Sequence, residues 1–582
     1  MKVFRYLLLH ILLVCVSIVV RAQESVPRVW VNELLNAIRN DFARPPVHAR
    51  NLHHLSIGMY DAWAAFEPAQ NTLFLDKNFN GFDCPFLGVP LPVNDAERIA
   101  AEEMAVSYFA FRLIRHRFAN SPGAFQTYQS IETRMQSMGY DIGLVSQDYI
   151  SDGPAALGNY LAEMLIQFGF QDGSNEIVNY ASQFYETANP PIEPEIPGNP
   201  NMIDPNRWQA ISLTNAIDQA GNPVVGVPPF VAPEWGYVAP FALDPLDAVE
   251  LLRDDEVYKV YQLPDSPPFL DTTIQTELED FFKWNFLLVS VWQSHLDPSD
   301  NVLWDVSPAS RGNILSYPDS WSEYSSFYDF FNGGDNGQGY VTNPITGLPY
   351  EEQLVKRADY ARVLAEFWAD GLDSETPPGH WFEIYNEVSE HPLFEWKWKG
   401  QGETLSHLEY DVKAYLSLGG AMHDAAIAAW SIKGWFDYPR PVSSIRYMAD
   451  LGQSSNPLEP NYHPGGLPIV PGYVELVNPG DPLEGVFGEH VGKIKLYTWK
   501  GHEFVFDPET DVAGVGWILA ENWWPYQRPT FVTPPFAGYV SGHSTFSRAA
   551  AEVMSFITGS PFFPGGMSSF SANQNDFLHF EL

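Results

Sequence analysis

Residues 430–441 read Trp-Ser-Ile-Lys-Gly-Trp-Phe-Asp-Tyr-Pro-Arg-Pro, and the way this stretch leaves its helix decides how the chain is read. The preceding residues 405–436 carry apolar positions at helical spacing, so Lys433 stands at a helix end. Pro439 and Pro441 then exclude helix on both sides of Arg440, which puts its guanidinium on a rigid extended turn. Two cations are thereby aimed from neighbouring positions toward one point.

A second cluster, Tyr539-Val540-Ser541-Gly542-His543-Ser544, precedes a helix-forming run over 544–557 that Gly559 ends. Ser544 is the expected N-cap, which leaves the Gly542 and His543 amides at a positive helix end where anions bind. With the Ser541 hydroxyl and the His543 imidazole, these donors suit a tetrahedral oxyanion. A Gly-x-Ser-x-Gly nucleophile elbow does not fit, because Tyr539 and His543 occupy the two glycine positions.

Outward from these clusters, helical spacing recurs at 51–66, 105–118 and 158–170, with Leu161, Met164, Leu165 and Phe168 on one stripe. This reads as an N-terminal bundle. Residues 189–205 and 221–245 are dense in proline and glycine and read as a connecting region. Helical signal returns from 246, at 278–296, 351–368 and 405–436, as a second bundle. Residues 456–485 are again loop-like, and 496–506 alternate as a short β hairpin. The expected layout is a signal peptide over 1–22, an N-terminal bundle with its connection over 23–245, and a second bundle over 246–582. Met59-Tyr60-Asp61-Ala62 with Ala65 echoes Met422-His423-Asp424-Ala425 with Ala428, which suggests a duplicated helical unit.

With 582 residues, 45% of them hydrophobic, the chain can bury a large core and is far from a disordered composition. Lys2 and Arg5, the apolar run 7–20 and the small Ala22 form a secretory signal, and the run is shorter than the roughly 20 residues a spanning helix needs. The expected product is secreted or periplasmic, with no membrane segment after cleavage. Cys15 leaves with the signal, so Cys84 has no disulfide partner. Removing Lys2, Arg5 and Arg21 sets 29 basic against 72 acidic residues, a net charge of −43 that turns away nucleic acid and anionic membranes. Zinc spacings, a Walker loop and a dinucleotide fingerprint are all missing from the sequence.

Taken together, Lys433-x6-Arg440-Pro441 and Val540-Ser541-Gly542-His543 resemble the first two signature motifs of the superfamily that joins vanadium haloperoxidases to type-2 phosphatidic acid phosphatases. Those motifs are Lys-x6-Arg-Pro and Pro-Ser-Gly-His, with Val540 standing here in place of the proline. Trp430, Pro534 and Phe536 resemble residues on the halide side of the site in the chloroperoxidase branch. Residues 367–371, Phe-Trp-Ala-Asp-Gly, with Thr376-Pro377-Pro378 resemble the segment whose carboxylate fixes the active-site arginine, which makes Asp370 the candidate partner of Arg440. His380 comes next as a structural or supporting residue.

The resemblance implies a mainly α fold of two helical bundles with Pro/Gly-rich connections. It implies vanadate as cofactor, held by Lys433, Arg440, Ser541 and the Gly542 amide, with Lys433 polarising bound peroxide and His543 as general acid/base. Hydrogen peroxide, a halide and an organic acceptor are the implied reaction partners. The alternatives are an acid phosphatase that takes phosphate without vanadate, and a non-catalytic secreted helical protein with an incomplete site. The family's third motif, Ser-Arg-x5-His-x3-Asp, supplies a second arginine and the vanadium-ligating histidine, and this sequence lacks it. Met554 stands six positions after Ser547-Arg548, and no such arginine precedes His579. The expectation is that the chain ends ahead of that motif.

Overall fold

The computed structural model describes residues 24–218, 221–319, 321–329, 332–368, 374–507 and 514–569, so the signal peptide and His579 lie outside the described residues. The fold is mainly helical with small sheets. Five helices come first: α1 (Val26–Arg39), α2 (Pro45–Ala64), α3 (Asp95–Arg117), α4 (Ala124–Ser137) and α5 (Pro154–Gly169). Their starts are encoded locally. Pro45 and Pro46 open α2, where a missing N–H removes no helix bond, and the Asn94 side chain caps α3 at the Glu97 amide. Asp95 and Glu97 in the first turn of α3, and Arg115, His116 and Arg117 in its last, both complement the helix dipole.

Six more long helices follow: α6 (Glu277–Trp292), α7 (Arg357–Trp368), α8 (Thr376–Glu390), α9 (His407–Phe436), α10 (Pro441–Leu451) and α11 (Gly542–Thr558), while Tyr149–Asp152 and Trp321–Phe327 are short helical segments. A hairpin of β1 (Val249–Arg253) and β2 (Glu256–Val260) precedes them. The hairpin expected over 496–506 does not form. Its first half is β4 (Ile494–Trp499), the centre of an antiparallel sheet between β3 (Val474–Leu476) and β5 (Val515–Leu519), and His502–Phe504 is a 3-10 turn. The alternation is that of a strand, but its partners lie in distant segments. Among the described residues no helix is long and apolar enough to cross a membrane.

Two cores meet along α9, whose thirty residues span about 45 Å. Its residues from Leu408 to Trp430 belong to a core shared with α1–α5, α8 and α11, while Ile432 and Phe436 belong to a second core with α6, α10 and the three-stranded sheet. α2 approaches α9 tightly at Gly419, where a Cβ would stand 2.9 Å from Ser56 Oγ and 3.2 Å from His53 Cα.

The echo between 59–65 and 422–428 is a repeated structural device. Asp61 on α2 accepts the N–H groups of Leu73, Phe74 and Leu75 at 2.7, 2.8 and 2.6 Å. Asp424 on α9 accepts those of Phe241, Ala242 and Leu243 at 2.8, 2.7 and 3.1 Å. Each buried or half-buried carboxylate thus satisfies three consecutive loop amides beside its helix, which would otherwise be costly to leave unpaired.

The α2–α9 contact also buries three imidazoles. His53 stacks on His423 with ring centroids 4.7 Å apart, His54 lies 6.1 Å from His53, and all three are fully buried. Around them stand Arg50, bonded to Asp172 at 2.5 Å and Glu176 at 2.7 Å, and Arg117, bonded to Glu176 and to His54. Burial, together with the charges of Arg50 and the neighbouring imidazoles, holds His53 and His54 well below the usual histidine range, and burial lowers His423 as well. A histidine pKa depressed by folding means that the unfolded chain binds the proton first, so stability is full at neutral pH and is lost as pH falls below about 6.5. Each such imidazole contributes a slope of about 1.4 kcal/mol per pH unit in that range. His53→Gln is expected to reduce the acid slope of the unfolding free energy, read by urea denaturation at a series of pH values, by about one imidazole's share. An identical slope in the variant would contradict the assignment.

Candidate oxyanion site

The site is built where α9 ends. Asp437 takes the left-handed conformation (φ 49°, ψ 39°) and its N–H donates to Lys433 O at 2.8 Å, closing the helix in the way glycine or asparagine usually does. Its carboxylate is completely buried, accepting Tyr185 OH at 2.8 Å and Arg207 Nε at 2.6 Å, and its carbonyl accepts the Trp208 amide at 2.5 Å. Burial pushes the Asp437 carboxyl up to about 6 against the opposing charges of Arg207 and Arg253. The clamp comes from Tyr185, Arg207 and Trp208, which flank the stretch 189–205 read as a connection and fasten the end of α9. Sequence reasoning misses this clamp, because its only local mark is an aspartate at a helix end where glycine is expected.

Beyond this stop, Arg440 is extended (φ −104°, ψ 154°) and Pro441 opens α10. The sequence reading is corrected on one side: Pro439 keeps the chain out of helix, but Pro441 occupies a first-turn position and starts one.

Both predicted cations converge on the loop before α11. Lys433 Nζ donates to Ala537 O at 2.7 Å and Arg440 Nε to Phe536 O at 2.7 Å. Their charges lie 5.2 and 4.8 Å from the centre of the same Phe536 ring, and Lys433 is 5.8 Å from that of Trp430. Such cation–ring contacts stabilise by about 0.5–2 kcal/mol each. Lys433 is 1% exposed, and among the described residues no carboxylate pairs with it. Burial, then the like charge of Arg440, drives its ammonium well below the usual lysine range.

The loop is held from three sides. Pro535 O accepts the Val231 amide at 2.8 Å, Gly538 N–H donates to Tyr438 O at 2.9 Å, and Trp430 Nε1 donates to Val231 O at 3.1 Å. The Tyr539 ring packs on Phe436 and Tyr438.

Helix α11 completes the arrangement. Its N-cap is Ser541, not Ser544: the Ser541 side chain accepts the Ser544 amide at 3.2 Å, and Gly542 is the first helical residue. A Cβ on Gly542 would stand 3.2 Å from the Trp430 ring, a tight contact, and 3.9 Å from Lys433 Cε, so the glycine lets the helix start close against both without displacing the ring. The positive end of α11 is thereby brought beside the ammonium, with half-buried His543 in its first turn.

Of the predicted site residues, the structure brings together Lys433, Arg440, Trp430, Phe536 and Gly542, with Ser541 and His543 flanking Gly542 on the chain. Pro534 lines an adjoining cleft instead of contacting the cations. Asp370 lies outside the described residues. His380 is in α8, bonded to Glu375 at 2.7 Å. Burial raises the Glu375 carboxyl, but the His380 bond and the charge of Arg39 outweigh it and hold the group below the usual range.

Residues 413–578 match the VCPO second helical-bundle domain family. Among solved structures, the chain is similar to an apo-type bacterial vanadium-dependent chloroperoxidase at 14% identity and a TM-score of 0.49, covering 88% of this chain and 76% of that one. It is also similar to a holo-type bacterial vanadium-dependent chloroperoxidase (14%, TM-score 0.46, covering 92% and 77%) and to the first bacterial vanadium-dependent iodoperoxidase (15%, TM-score 0.41, covering 91% and 80%). No curated protein matches the sequence. The segment that matches this domain family holds most of α9, all of α10, the loop that receives both cations and α11.

Proposed function

We propose that the chain is a vanadate-dependent haloperoxidase, which oxidises a halide with hydrogen peroxide to hypohalous acid. The observation that carries this reading is the buried Lys433 ammonium, held beside the Arg440 guanidinium and the N-terminus of α11 with only a carbonyl as its acceptor among the described residues. Positive charge gathered without a paired carboxylate on Lys433 is a place for an anion. The donor set fits a tetrahedral oxyanion in particular: an ammonium with two N–H groups beyond the one given to Ala537, a guanidinium, the Gly542 amide and the Ser541 hydroxyl.

Vanadate, when bound, supplies an electrophilic centre that activates hydrogen peroxide toward halide. Lys433, Arg440, Ser541 and Gly542 are the residues that would hold it. Their own work is positioning and charge. Arg440 keeps its orientation through Phe536 O, Lys433 presents its remaining protons, and Trp430 and Phe536 keep water from the ammonium, which strengthens every charge interaction there. His543, in the first turn of α11, is the group placed to take and return a proton. An oxyanion favours the charged form of Lys433, so affinity is expected to fall as pH rises and the free ammonium deprotonates.

The reading is tested with the full chain, vanadate, peroxide and bromide, monitoring bromination of a phenolic dye. Vanadate-dependent turnover is expected, with Lys433→Ala or Arg440→Ala lowering it by about a hundredfold or more. Phosphate-ester cleavage without vanadate, and no bromination at any pH tested, would move the chain to the phosphatase alternative. A second measurement addresses the clamp on Asp437. Arg207→Leu strands a buried carboxylate and is expected to lower the unfolding free energy by about 3 kcal/mol, while Asp437→Asn keeps the left-handed turn and weakens vanadate uptake, measured by vanadium NMR, about tenfold. Wild-type uptake by the asparagine variant would show that the clamp does not orient the cations.

A further inference from the structure

A cleft of about 670 Å³ lies on the other side of the loop that receives the two cations. Pro534 and Pro535 line it, while the next residue, Phe536, lies against Lys433 and Arg440, so the cleft and the oxyanion site share one wall. None of Lys433, Arg440, Ser541, Gly542 or His543 lines the cleft. It is therefore a separate site, and its chemistry is different.

The lining is predominantly carbon. Its floor is aromatic: Phe230 packs edge-on to Tyr185 with centroids 4.9 Å apart and on Trp208 at 5.0 Å. Trp208 and Phe230 are buried, and the Tyr185 ring is fixed by its hydroxyl bond to Asp437. Prolines 223, 228, 229, 534 and 535 contribute wall without backbone N–H groups. The two sides of the cleft are tied together by Val231 N–H to Pro535 O at 2.8 Å and Ile217 N–H to Thr530 O at 3.0 Å. Water in such a space finds few partners, and its displacement by an apolar body is favourable. A rigid wall also means that little ordering is needed on binding. The volume falls within the range of small-molecule sites, roughly 300–1,000 Å³.

Two acid or base groups stand on the lining, and both are already engaged. Arg44 lies over the Tyr180 ring at 5.0 Å and reaches Asn179 and Asp41, while Asp218 accepts the backbone and side-chain N–H groups of Asn222 at 2.7 and 3.2 Å. Beside them stand the hydroxyls of Ser182, Thr187, Thr530 and Thr533, so recognition there is mainly ring stacking and apolar burial, with neutral hydroxyl contacts in place of charge. We infer that the cleft walled by residues 534–535 and floored by Tyr185, Trp208 and Phe230 is a binding site for an apolar, ring-bearing organic molecule. This goes beyond the oxyanion reading and does not depend on whether the neighbouring cations take vanadate.

The test uses N-phenyl-1-naphthylamine, a neutral two-ring fluorophore, with the full chain and no vanadate. Saturable fluorescence enhancement is expected for the wild type. Ala216→Trp and Val224→Trp, at two points on the lining, are expected to raise the apparent Kd tenfold or more, whereas Val486→Trp, at an exposed position outside the cleft, leaves it unchanged. Circular dichroism identifies which filling variant keeps the native fold, and that variant carries the comparison. No saturable binding by the wild type, or equal binding by the folded filling variant, overturns the inference.

Discussion

Two like charges held against one phenyl ring are the constraint around which the second half of the molecule is arranged. Lys433 and Arg440 repel, and burial disfavours the charged lysine further, so nothing in their own interaction keeps them together. What does is the backbone. Asp437 turns the chain through a left-handed residue, Pro439 and Pro441 restrict the backbone on either side of Arg440, and the carbonyls of Phe536 and Ala537 receive one N–H from each cation. The destabilisation stored in the cation pair is offset by the Arg207 and Tyr185 bonds to Asp437, by ring contacts and by packing of the two cores that meet there.

The two copies of the Met-x-Asp-Ala segment sit on helices of different length, and the difference matters for where Lys433 is placed. Asp61 and Asp424 perform the same task, gathering three loop amides beside a buried helix. The difference is how far each helix continues. α2 ends at Ala64, three residues beyond its aspartate, whereas α9 runs on to Phe436 and so carries Trp430 and Lys433 past the first core into the junction with the second. Elsewhere on α2 and on α3 the buried cations Arg50 and Arg117 are closed off by Asp172 and Glu176, and charge is balanced within the protein.

Chemistry is legible in the sequence to the extent that it is local. The convergence of Lys433 and Arg440 comes from a helix end and a proline-bounded turn within eight residues, and both cues survive folding. The start of α11 reads three residues late because Ser541 and Ser544 are equally good caps by residue type. The first turn at Gly542 advances against Trp430, a contact across more than a hundred positions, and Ser541 then stands at the cap. The strand at Ile494–Trp499 is recognisable by its alternation, but its neighbours at 474–476 and 515–519 are set by tertiary pairing. The proline-rich stretch after 189 reads as a passive connection because its function is to donate amides and one guanidinium to aspartates on and just after α9, and donors of that kind leave no pattern of their own.

Net charge places a further condition on the site. With 72 acidic and 32 basic residues the chain repels halide and oxyanion at long range, yet the residues gathered at α9 and α11 are cationic. The two are compatible because surface charge is screened over about 8 Å at physiological ionic strength, while buried pairs are screened far less. Under the function proposed above, anion selectivity is set within the first few ångströms, by an ammonium whose charged form burial disfavours until an anion lies beside it. On that proposed reading the protonation of Lys433 is tied to occupancy, and the packing of Trp430 and Phe536 around it bears more on how strongly an oxyanion is held than the overall charge of the molecule does.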